Sequence, residues 1–566
     1  MKKIVLITLV VILSVLIITA DASGAPDRSP QRNHDVAITN MSAPASCVQG
    51  DTVPVVLTVR NQGNCSETFA VTLTDTTNGS RIASKTITLS SAREGGLDEV
   101  VDRIFDAEVD EENLFGQMVR IGGDVNRDGY DDLLIGADGY NQGQGRAYLY
   151  YGGEGMLNEN ADRTFTGEGR GDHFGDSGGA FGDVNGDGFD DVIIGARGYS
   201  GESNDGRVYI YHGGTDMDEN ADVIIDGEAG EGGYFGLMVV AGDVNNDGYD
   251  DVLVTALAMY SWKGRAYLYY GGDPMDTTAD KTFDGENTGD WFGRDAFMGD
   301  VDGDWCADVL IGARRWPEGT NMGRAYLYYG DPGASMDTVC DETFTGENPG
   351  DYFGHGLGII DADNDNFGDV LLGAYGYGSN QGRAYLYWGS SRATFDNVAD
   401  KTFNGEPGDA KGFFGVDSGV GYVNGDDYGD ILIGAYLYYN NDKRGRVYLY
   451  HGGTKTSMDV TCDHTFTGSD LNSRYGVEAE LGDLNNDGFA EVAIGGWSYN
   501  NNRGRVWLYY NKPPSSTEIN FDWNTTGASV SEHALKAEIV PVAGEKDTAD
   551  NIKTVTVNVK SSVKKK

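Results

Sequence analysis

The stretch FGDSGGAFGDVNGDGFDDVIIGARGYSGESNDGRVYIYHGG, at residues 174–214, contains the pattern that decides the fold. The same succession of Phe-Gly, an aspartate-rich loop, Gly-Ala and a Gly-Arg strand recurs, with few changes, seven times. The loops are 59, 60, 57, 61, 61 and 61 residues apart and begin at Asp124, Asp183, Asp243, Asp300, Asp361, Tyr422 and Asp483. Spacing this regular indicates an array of similar structural units.

Each repeat predicts four short β-strands. An outer strand such as RTFTGE comes first, and strands that begin at Phe-Gly, contain a DLLIGA-like run and contain a GRAYLYY-like run follow it. The DLLIGA-like strand alternates in the manner of a half-buried strand, and glycines supply the turns. Seven antiparallel four-stranded units predict an all-β fold, a seven-bladed β-propeller. The strand at residues 102–106 is expected to complete the seventh blade, which would close the ring and remove exposed sheet edges.

These repeats resemble the FG-GAP repeats of integrin α-subunit propellers. Seven copies of Phe-Gly, a calcium-like loop and Gly-Ala in a fixed order carry the resemblance, which covers residues 97–511. The resemblance implies a propeller of the integrin α type, on the receptor side of a recognition event.

Two flanking segments lack the repeat and predict a second domain. Residues 34–93 and 513–560 together reach the size of one immunoglobulin-like domain, although neither alone has enough strands for a sandwich. TNMSAP, VVLTVRNQG and FDWNTTG followed by ALKAEI resemble, in this order, the two halves of a CARDB domain, an adhesion-related module of bacteria and archaea. The resemblance implies a discontinuous β-sandwich with the propeller inserted near residues 91–96. Two separate small domains are the alternative.

The aspartate-rich loops predict calcium sites. Their pattern, D-x-[DN]-x-D-G-x-x-D, places side-chain oxygens at positions 1, 3, 5 and 9, and calcium prefers about six to eight oxygen ligands. Glycine at position 6 permits a tight turn, and position 7 usually contributes a backbone carbonyl. Loops one to three are complete and supply Asp124, Asn126, Asp128 and Asp132; Asp183, Asn185, Asp187 and Asp191; and Asp243, Asn245, Asp247 and Asp251.

The other four loops depart from the pattern to different degrees. Trp305 replaces the glycine in loop four, Asn366 replaces it in loop five, and loop seven ends in Glu491. Loop six has Tyr422 where the first aspartate belongs, so we expect it to be weak or empty. The predicted ligands in these loops are Asp300, Asp302, Asp304 and Asp308; Asp361, Asp363, Asp365 and Asp369; Asn424, Asp426 and Asp430; and Asp483, Asn485, Asp487 and Glu491.

These loops predict about five to six structural calcium ions. Loops one, two, three, five and seven are expected to hold an ion, with loop four next. The alternative is that the loops are solvated acidic turns. Three carboxylates that converge on one turn repel one another unless a cation lies between them, which favours the calcium interpretation.

Aromatic residues predict a ligand face opposite the loops. In an antiparallel meander, successive connections alternate between the two ends of a sheet, so the connection after the Gly-Ala pair lies opposite the calcium loop. Three residues past that pair, one repeat has Met259 and the other six have Tyr140, Tyr199, Trp316, Tyr377, Tyr438 and Tyr499. These rings would form a stacking surface for sugars or a hot-spot cluster for a protein. The alternative is that each ring packs on its neighbouring blade.

The net charge and the N-terminal sequence indicate which partners and which location to expect. A formal net charge of −47 disfavours nucleic acid as a partner. Lys2 and Lys3 precede an apolar run, and an A-x-A site follows it, so residues 1–22 predict a secretory signal peptide. An uncleaved N-terminal anchor is the alternative, and it would be the chain's one contact with a membrane. Both interpretations place the protein outside the cell or on its surface.

Catalytic patterns are missing from the sequence. It contains no G-x-S-x-G, no H-E-x-x-H and no phosphate loop, so we predict that the protein is not an enzyme. The sequence instead predicts a calcium-binding adhesion or recognition protein for an extracellular protein or glycan. A lectin with an integrin-like propeller is the alternative, and an enzyme that works from the propeller face is a third hypothesis.

Overall fold

The computed structural model describes residues 36–61, 67–89, 97, 100–108, 112–230, 232–333, 336–406, 412–438, 443–511, 516–539 and 551–561. The predicted leader, residues 1–22, and the predicted insertion point near residues 91–96 lie outside these ranges. The regular secondary structure of the described residues is almost entirely β, which confirms the predicted all-β class. Within it, no helix has the length and apolar character needed to cross a membrane.

The chain divides into two compact units, and the first consists of the described residues up to Leu89 and from Ser516 onward. Strands are numbered in chain order. The N-terminal segment supplies β1 (Val36–Ser42), β2 (Ser46–Val48), β3 (Thr52–Asn61), β4 (Glu67–Asp75) and β5 (Ser80–Leu89). The C-terminal segment supplies β34 (Ser516–Asn524), β35 (Glu532–Ile539) and β36 (Ile552–Lys560), with one 3₁₀ turn at Thr525–Gly527.

Both sheets of the first unit combine strands from the two segments. One sheet has the order β1-β3-β34, and the other has the order β2-β36-β35-β4-β5. Side chains from both sheets, such as Val55, Leu73 and Leu535, form one buried core. Buried His533 also places Nδ1 2.7 Å from Oδ2 of buried Asp75, across the two segments. Neither segment therefore builds its sheets alone.

The second unit contains four-stranded antiparallel sheets, which we call sheets 1 to 7. The strands of sheets 1 to 3 are β7 (Met118–Gly122), β8 (Asp132–Ala137), β9 (Arg146–Tyr150), β10 (Arg163–Thr166); β11 (Phe174–Gly182), β12 (Asp191–Ala196), β13 (Arg207–Tyr211), β14 (Val223–Asp226); and β15 (Phe235–Gly242), β16 (Asp251–Ala256), β17 (Arg265–Tyr269), β18 (Lys281–Asp284). In each sheet the order along the chain is the order in space, from the first to the fourth strand.

Sheets 4 to 7 repeat this order. Their strands are β19 (Phe292–Gly299), β20 (Asp308–Ala313), β21 (Arg324–Tyr328), β22 (Glu342–Thr345); β23 (Phe353–Ile360), β24 (Asp369–Ala374), β25 (Arg383–Tyr387), β26 (Lys401–Asn404); β27 (Ser418–Gly421), β28 (Asp430–Ala435), β29 (Arg446–Tyr450), β30 (His464–Thr467); and β31 (Glu478–Gly482), β32 (Glu491–Gly495), β33 (Arg505–Tyr509) with β6 (Arg103–Asp106). Short turns at Tyr140–Gly143, Gly201–Ser203, Met259–Trp262, Tyr377–Asn380 and Tyr499–Asn502 lie between second and third strands.

Strand β6 closes the ring of sheets. It is the fourth strand of sheet 7, because residues 103–106 pair antiparallel with residues 505–508. This is the pairing that the sequence predicts. The first strands of successive sheets contact one another, and β31 of sheet 7 contacts β7 of sheet 1. The unit is therefore a β-propeller, in which the outer strand that opens each sequence repeat belongs to the preceding sheet.

The Phe-Gly and Gly-Ala pairs mark close packing between neighbouring sheets. Gly195 of a Gly-Ala pair lies against Gly236 of the next Phe-Gly pair, and a Cβ on Gly195 would overlap the Gly236 carbonyl. Gly495 and Gly116 make the same contact between sheets 7 and 1. Gly236 also has a φ of +83°, which favours glycine. Substitution at these positions would push two backbones apart.

The aromatic residue of each Phe-Gly pair packs against the third strand of the same sheet. Phe174 meets Tyr209 edge-on, with ring centroids 5.4 Å apart. Sheet 7 uses Tyr475 and Trp507 in the same arrangement at 5.0 Å. Edge-on aromatic pairs contribute about 0.5–1.5 kcal/mol beyond the area that they bury. The repeated aromatic residues therefore hold the first and third strands of each sheet together.

Candidate functional site

The acidic loops connect the first and second strands of sheets 1 to 7, and main-chain donors hold their carboxylates. In loop two, Asp191 at position 9 accepts Val184 N–H at 3.0 Å and Gly213 N–H at 2.8 Å. Burial raises the pKa of Asp191 to about 7, and a nearby cation would favour its ionised form. The equivalent pair of hydrogen bonds is accepted by Asp132, Asp251, Asp308, Asp369 and Asp430.

Positions 1 and 5 face the same turn. Asp183 accepts Asp187 N–H at 3.0 Å with one carboxylate oxygen and Gly188 N–H at 2.8 Å with the other. Asp187 in turn accepts Phe189 N–H at 3.0 Å. Loops one, three, four, five and seven repeat these bonds. Each carboxylate oxygen keeps a lone pair that can accept a cation.

The side-chain oxygens at position 3 of the loops indicate whether the residues present could hold a cation. Oδ1 of Asn245 in loop three and Oδ1 of Asn485 in loop seven are buried, and neither has a hydrogen-bond donor among the described residues. A buried acceptor without a donor costs about 1–3 kcal/mol. Together with the carboxylates at positions 1, 5 and 9, these amide oxygens form the hard oxygen set that suits calcium. The residues present therefore fit a calcium ion.

Neighbouring loops are linked through position 8, a role that the sequence analysis missed. Asp190 of loop two accepts the N–H of Asp124 in loop one at 2.6 Å, and Asp250 of loop three accepts that of Asp183 at 2.9 Å. Asp131 of loop one accepts the N–H of Asp483 at 2.8 Å. The doubled aspartate at positions 8 and 9 signals this link, and it occurs only in loops one to three. Loops seven, one, two and three thus form one connected row.

Loops four and five differ because each contains a basic side chain from the next sheet. The carboxylates of Asp300, Asp302 and Asp304 converge within 4.8 Å. The Arg392 guanidinium binds Asp302 and lies 2.7 Å from Oδ2 of Asp304. Its charge therefore offsets part of the repulsion among these carboxylates.

Lys455 offsets part of the repulsion among the carboxylates of loop five in the same way. Its Nζ lies 2.8 Å from Oδ2 of Asp365 and 3.3 Å from Oδ2 of Asp363. Arg392 and Lys455 are both the fifth residue of the connection between third and fourth strands. At the equivalent place, sheets 1 to 4 have Gly155, Asp216, Pro274 and Gly333.

Loop six lacks two features of the other loops. Tyr422 replaces the position-1 carboxylate and is 44% exposed. Position 6 has a positive φ in the other six loops, but Asp427 is not among the described residues with positive φ. Asn424, Asp426 and Asp430 remain, with Asp426 N–H donating to Asn424 Oδ1 at 3.0 Å. This loop has neither the carboxylate nor the turn that the others share.

On the opposite face, an arginine covers each of the six predicted aromatic residues. Arg207 lies 3.7 Å from the ring centre of Tyr199, and Arg324 lies 3.4 Å from that of Trp316. The other four pairs are Arg146 on Tyr140, Arg383 on Tyr377, Arg446 on Tyr438 and Arg505 on Tyr499, at 3.7–3.9 Å. One face of each ring is therefore occupied from within the chain, a geometry that favours the packing alternative for these residues.

The same arginines join neighbouring sheets. Arg207 of sheet 2 lies 2.8 Å from Glu168, which follows the fourth strand of sheet 1. Arg146 of sheet 1 lies 2.9 Å from Glu108, which follows β6 of sheet 7. The arginine that begins the third strand and the glutamate two residues after the preceding fourth strand thus form one ion pair across each of these boundaries. Predicting that an arginine lies over each aromatic ring required knowledge of which strands are neighbours.

A second set of aromatic residues, which the sequence analysis missed, surrounds the propeller mouth on this face. These aromatic residues belong to a group of positions that we call the mouth ring. It consists of the residue just before each Phe-Gly pair and the residue just after each Gly-Ala pair, whether aromatic or not. Tyr352 and Tyr375 stack with centroids 5.0 Å apart, and Phe413 lies 5.6 Å from Tyr375. The signal in the sequence is the aromatic residue directly before Phe-Gly in repeats three to six.

The first strands enclose a central cavity of about 310 Å³. Arg120 Nη1 lies 3.0 Å from Oε2 of Glu478 and 3.0 Å from Oε1 of Glu480, and Asp417 lines the same cavity. Burial raises the pKa of Glu480 to about 7, against the opposing effect of the Arg120 charge. Two glutamates here share one guanidinium.

Comparison with known families adds to this geometry. The family model of the FG-GAP repeat matches residues 119–150, 176–211 and 235–269. The chain contains FG-GAP repeats. The three matched stretches lie in sheets 1, 2 and 3, and each contains one of the complete acidic loops. The predicted resemblance to FG-GAP propellers is confirmed to this extent.

Two curated relatives and one solved structure are similar to this chain. Human phosphatidylinositol-glycan-specific phospholipase D is 27% identical over 357 residues, which are 55% of this chain and 42% of the human protein. Integrin alpha-PS2 of Drosophila melanogaster is 27% identical over 273 residues, 44% of this chain and 18% of the integrin. The Dos1 propeller aligns with 84% of this chain and 95% of its own, at 9% identity and a TM-score of 0.39. The chain thus spans less than half the length of either relative.

Proposed function

We propose that this protein is a non-catalytic, calcium-binding adhesion or recognition protein, secreted or held at the cell surface. Its seven-bladed propeller holds calcium in the acidic loops and binds a protein or glycan through the opposite face. The donor set of the loops carries the proposal: three or four carboxylates, main-chain donors that orient them, and buried amide oxygens without donors in loops three and seven.

The proposed number of ions is about five to six. Loops one, two, three and seven combine three carboxylates with an amide oxygen, so calcium supplies most of their positive charge. Loops four and five have four carboxylates each, and we propose that they hold an ion beside Arg392 and Lys455. Loop six is proposed to remain without an ion, since Tyr422 cannot supply a carboxylate.

The flanking unit supports a surface role. We propose that it is one CARDB-like, immunoglobulin-fold sandwich interrupted by the propeller. The pairing of β3 with β34 and of β4 with β35 supports one discontinuous domain rather than two small ones.

The test is the calcium content and calcium-dependent stability of the full-length protein. Metal analysis after equilibration in millimolar calcium should find about five to six ions per chain. Asp183→Ala with Asp187→Ala should remove one ion, because both carboxylates of loop two point at the same turn. Glu219→Gln is the matched control, since it removes an exposed carboxylate from sheet 2 outside the loops and should keep every ion.

Two outcomes would contradict the proposal. A protein without bound calcium, or a loop-two variant that keeps the wild-type number of ions, would refute the calcium sites. For recognition, the protein should bind either a glycan array or proteins extracted from its producer's envelope. Failure to bind both, with calcium content intact, would refute the recognition role.

A further inference from the structure

The mouth ring carries backbone strain in every sheet. Trp291, for example, precedes its Phe-Gly pair with a φ of 62°. Positive φ is uncommon for bulky residues, and such strain clusters at ligand sites. The equivalent residues all have φ between 52° and 62°: Leu114, His173, Tyr234, Trp291, Tyr352, Phe413 and Arg474. The fold therefore holds seven large side chains in an unfavourable backbone conformation around one opening.

Rings in this region stack on one another beside an exposed tryptophan. Trp262 and Trp291 stack with centroids 5.2 Å apart and planes 26° apart, and Tyr234 lies 5.8 Å from Trp262. Trp262 is still 39% exposed. Trp262 thus keeps part of a flat apolar surface open to a ligand, and Trp291 supports it from behind.

Two arginines stand beside these indoles without a carboxylate partner. Arg315 lies 3.9 Å and Arg314 5.0 Å from the Trp291 ring centre. Among the described residues, neither guanidinium has a carboxylate oxygen within 4.0 Å, and Nε of Arg314 is buried without a hydrogen-bond partner. By contrast, Arg207 and its equivalents on the same face each contact a carboxylate.

The local sequence and charge make this pair unusual in so acidic a chain. Arg314 and Arg315 follow the Gly-Ala pair of sheet 4, where the segment RRWPEGTNMG departs from the repeat. Arg197 is the only other arginine directly after such a pair, and it binds Asp176. Burial and the neighbouring Arg294 lower the pKa of Arg314, against the opposing effect of the Asp295 charge. In a chain with a net charge of −47, two arginines that no carboxylate of the described residues contacts directly point to an anionic ligand.

We propose that Arg314 and Arg315, with the indoles of Trp262 and Trp291, bind a uronic-acid unit of an acidic polysaccharide. This inference rests on the proposed recognition function and locates its site. A guanidinium pairs with a carboxylate through parallel hydrogen bonds, and an indole offers a flat surface to the apolar face of a sugar. Each uronate unit carries both groups, whereas an acidic peptide carries carboxylates without the flat face.

The experiment uses the full-length protein with calcium held constant. Uronate tetramers made of galacturonic, glucuronic or guluronic acid are titrated calorimetrically, alongside their methyl esters and a tetraglutamate peptide. At least one free-acid tetramer should bind, and its ester should bind about tenfold more weakly or not at all. Arg314→Met with Arg315→Met should weaken binding about tenfold or more, and Trp262→Ala should weaken it as well.

Arg170→Met is the matched control, because Arg170 is an exposed arginine on the same face that bonds to Gln142 instead. It should leave binding unchanged, and all variants should keep the wild-type calcium content. Equal binding of acid and ester, stronger binding of tetraglutamate, or no binding of any uronate would each overturn the inference. If calcium content remains as proposed in those cases, the proposed function stands and only this site is refuted.

Discussion

Loops one to three differ from loops four and five in the number of their carboxylates and in the basic side chains that approach them. The first three have three carboxylates and an asparagine at position 3, whereas loops four and five have a fourth carboxylate there, Asp302 or Asp363. Each fourth carboxylate meets a basic side chain from the next sheet, Arg392 or Lys455. The number of carboxylates at a turn thus determines how much positive charge the rest of the fold must supply.

The two groups also differ in how they join their neighbours. Loops one to three are joined by main-chain N–H groups that donate to Asp131, Asp190 and Asp250 at position 8. Loops four and five have Ala307 and Gly368 there, whose main-chain N–H groups donate to the carbonyls of Asp243 and Asp300 at 2.8 Å. Their side-chain link to the next sheet comes from Arg392 and Lys455 instead. We expect calcium to dominate the stability of the first group and to share that role with a fixed charge in the second.

Calcium removal should have the largest effect. Extracellular sites bind with dissociation constants of about 10⁻⁴–10⁻³ M, and each ion that binds only the folded protein adds about 1–3 kcal/mol at roughly 10 mM free calcium. Excess EDTA should therefore lower the melting temperature by on the order of 10 °C, measured by differential scanning calorimetry. Magnesium-saturated protein is the control for ionic strength. An unchanged melting curve would show that calcium stabilises neither group of loops.

Replacing the basic side chains of loops four and five should have the next largest effect on stability. Arg392→Met and Lys455→Met keep the apolar stem but remove the charge that competes with calcium for the carboxylates of loops four and five. We expect calcium affinity at those loops to rise about tenfold and the calcium-free protein to lose about 1–3 kcal/mol. Isothermal titration would measure the affinity, with exposed Lys553→Met as the control. Weaker calcium binding in the variants would mean that the basic side chains assist the ion.

Rebuilding loop six would test the comparison by gain of function. Tyr422→Asp with Asp427→Gly restores the missing carboxylate and the turn without changing net charge. We expect one additional calcium ion per chain and a melting temperature a few degrees higher in calcium, roughly 2–4 °C. Tyr422→Phe, which restores neither feature, should change neither value. If the rebuilt loop gains no ion, these two positions do not explain why loop six differs.

Glu480 in the central cavity is a buried carboxylate outside the acidic loops, so its effect on stability should not depend on calcium. Its folded pKa of about 7 lies above the ordinary value of 4.5, so the folded state binds this proton more tightly than the unfolded state. The stabilising contribution is complete below about pH 4.5 and is lost as pH rises towards 7. Glu480→Gln should therefore gain stability relative to wild type between pH 5 and pH 8, with or without calcium. A pH-independent difference in melting temperature would contradict this assignment.

The repeat made the strands and loops predictable from the sequence. Asp124, Asp128 and Asp132 recur in the same order as their equivalents, and each set lies within nine consecutive residues, so local chain geometry brings them together. Gly195 was predictable as a motif position, although its contact with Gly236 of the next sheet was not. Regular spacing predicts what a repeat contains but does not identify which atoms of neighbouring repeats meet.

Contacts between repeats account for what the sequence analysis missed. Arg392 and Asp302 are 90 residues apart, and nothing between them marks the ion pair. Tyr199 was assigned to the correct connection, but the cover by Arg207 depends on the third strand returning beside it. Trp291 and Arg314 come from different strands of sheet 4, and their proximity follows from the sheet.

By itself, the sequence determined the strand pattern, the order of the sheets and the donor atoms of the acidic loops, because these depend on interactions within a few residues. Only the tertiary structure decided which carboxylates share a basic side chain, which rings are covered and which arginines remain without a carboxylate. Those outcomes depend on side chains that meet across sheet boundaries. The energy of a charge depends on every neighbour within a few ångströms, and closing the ring supplies neighbours from distant parts of the chain.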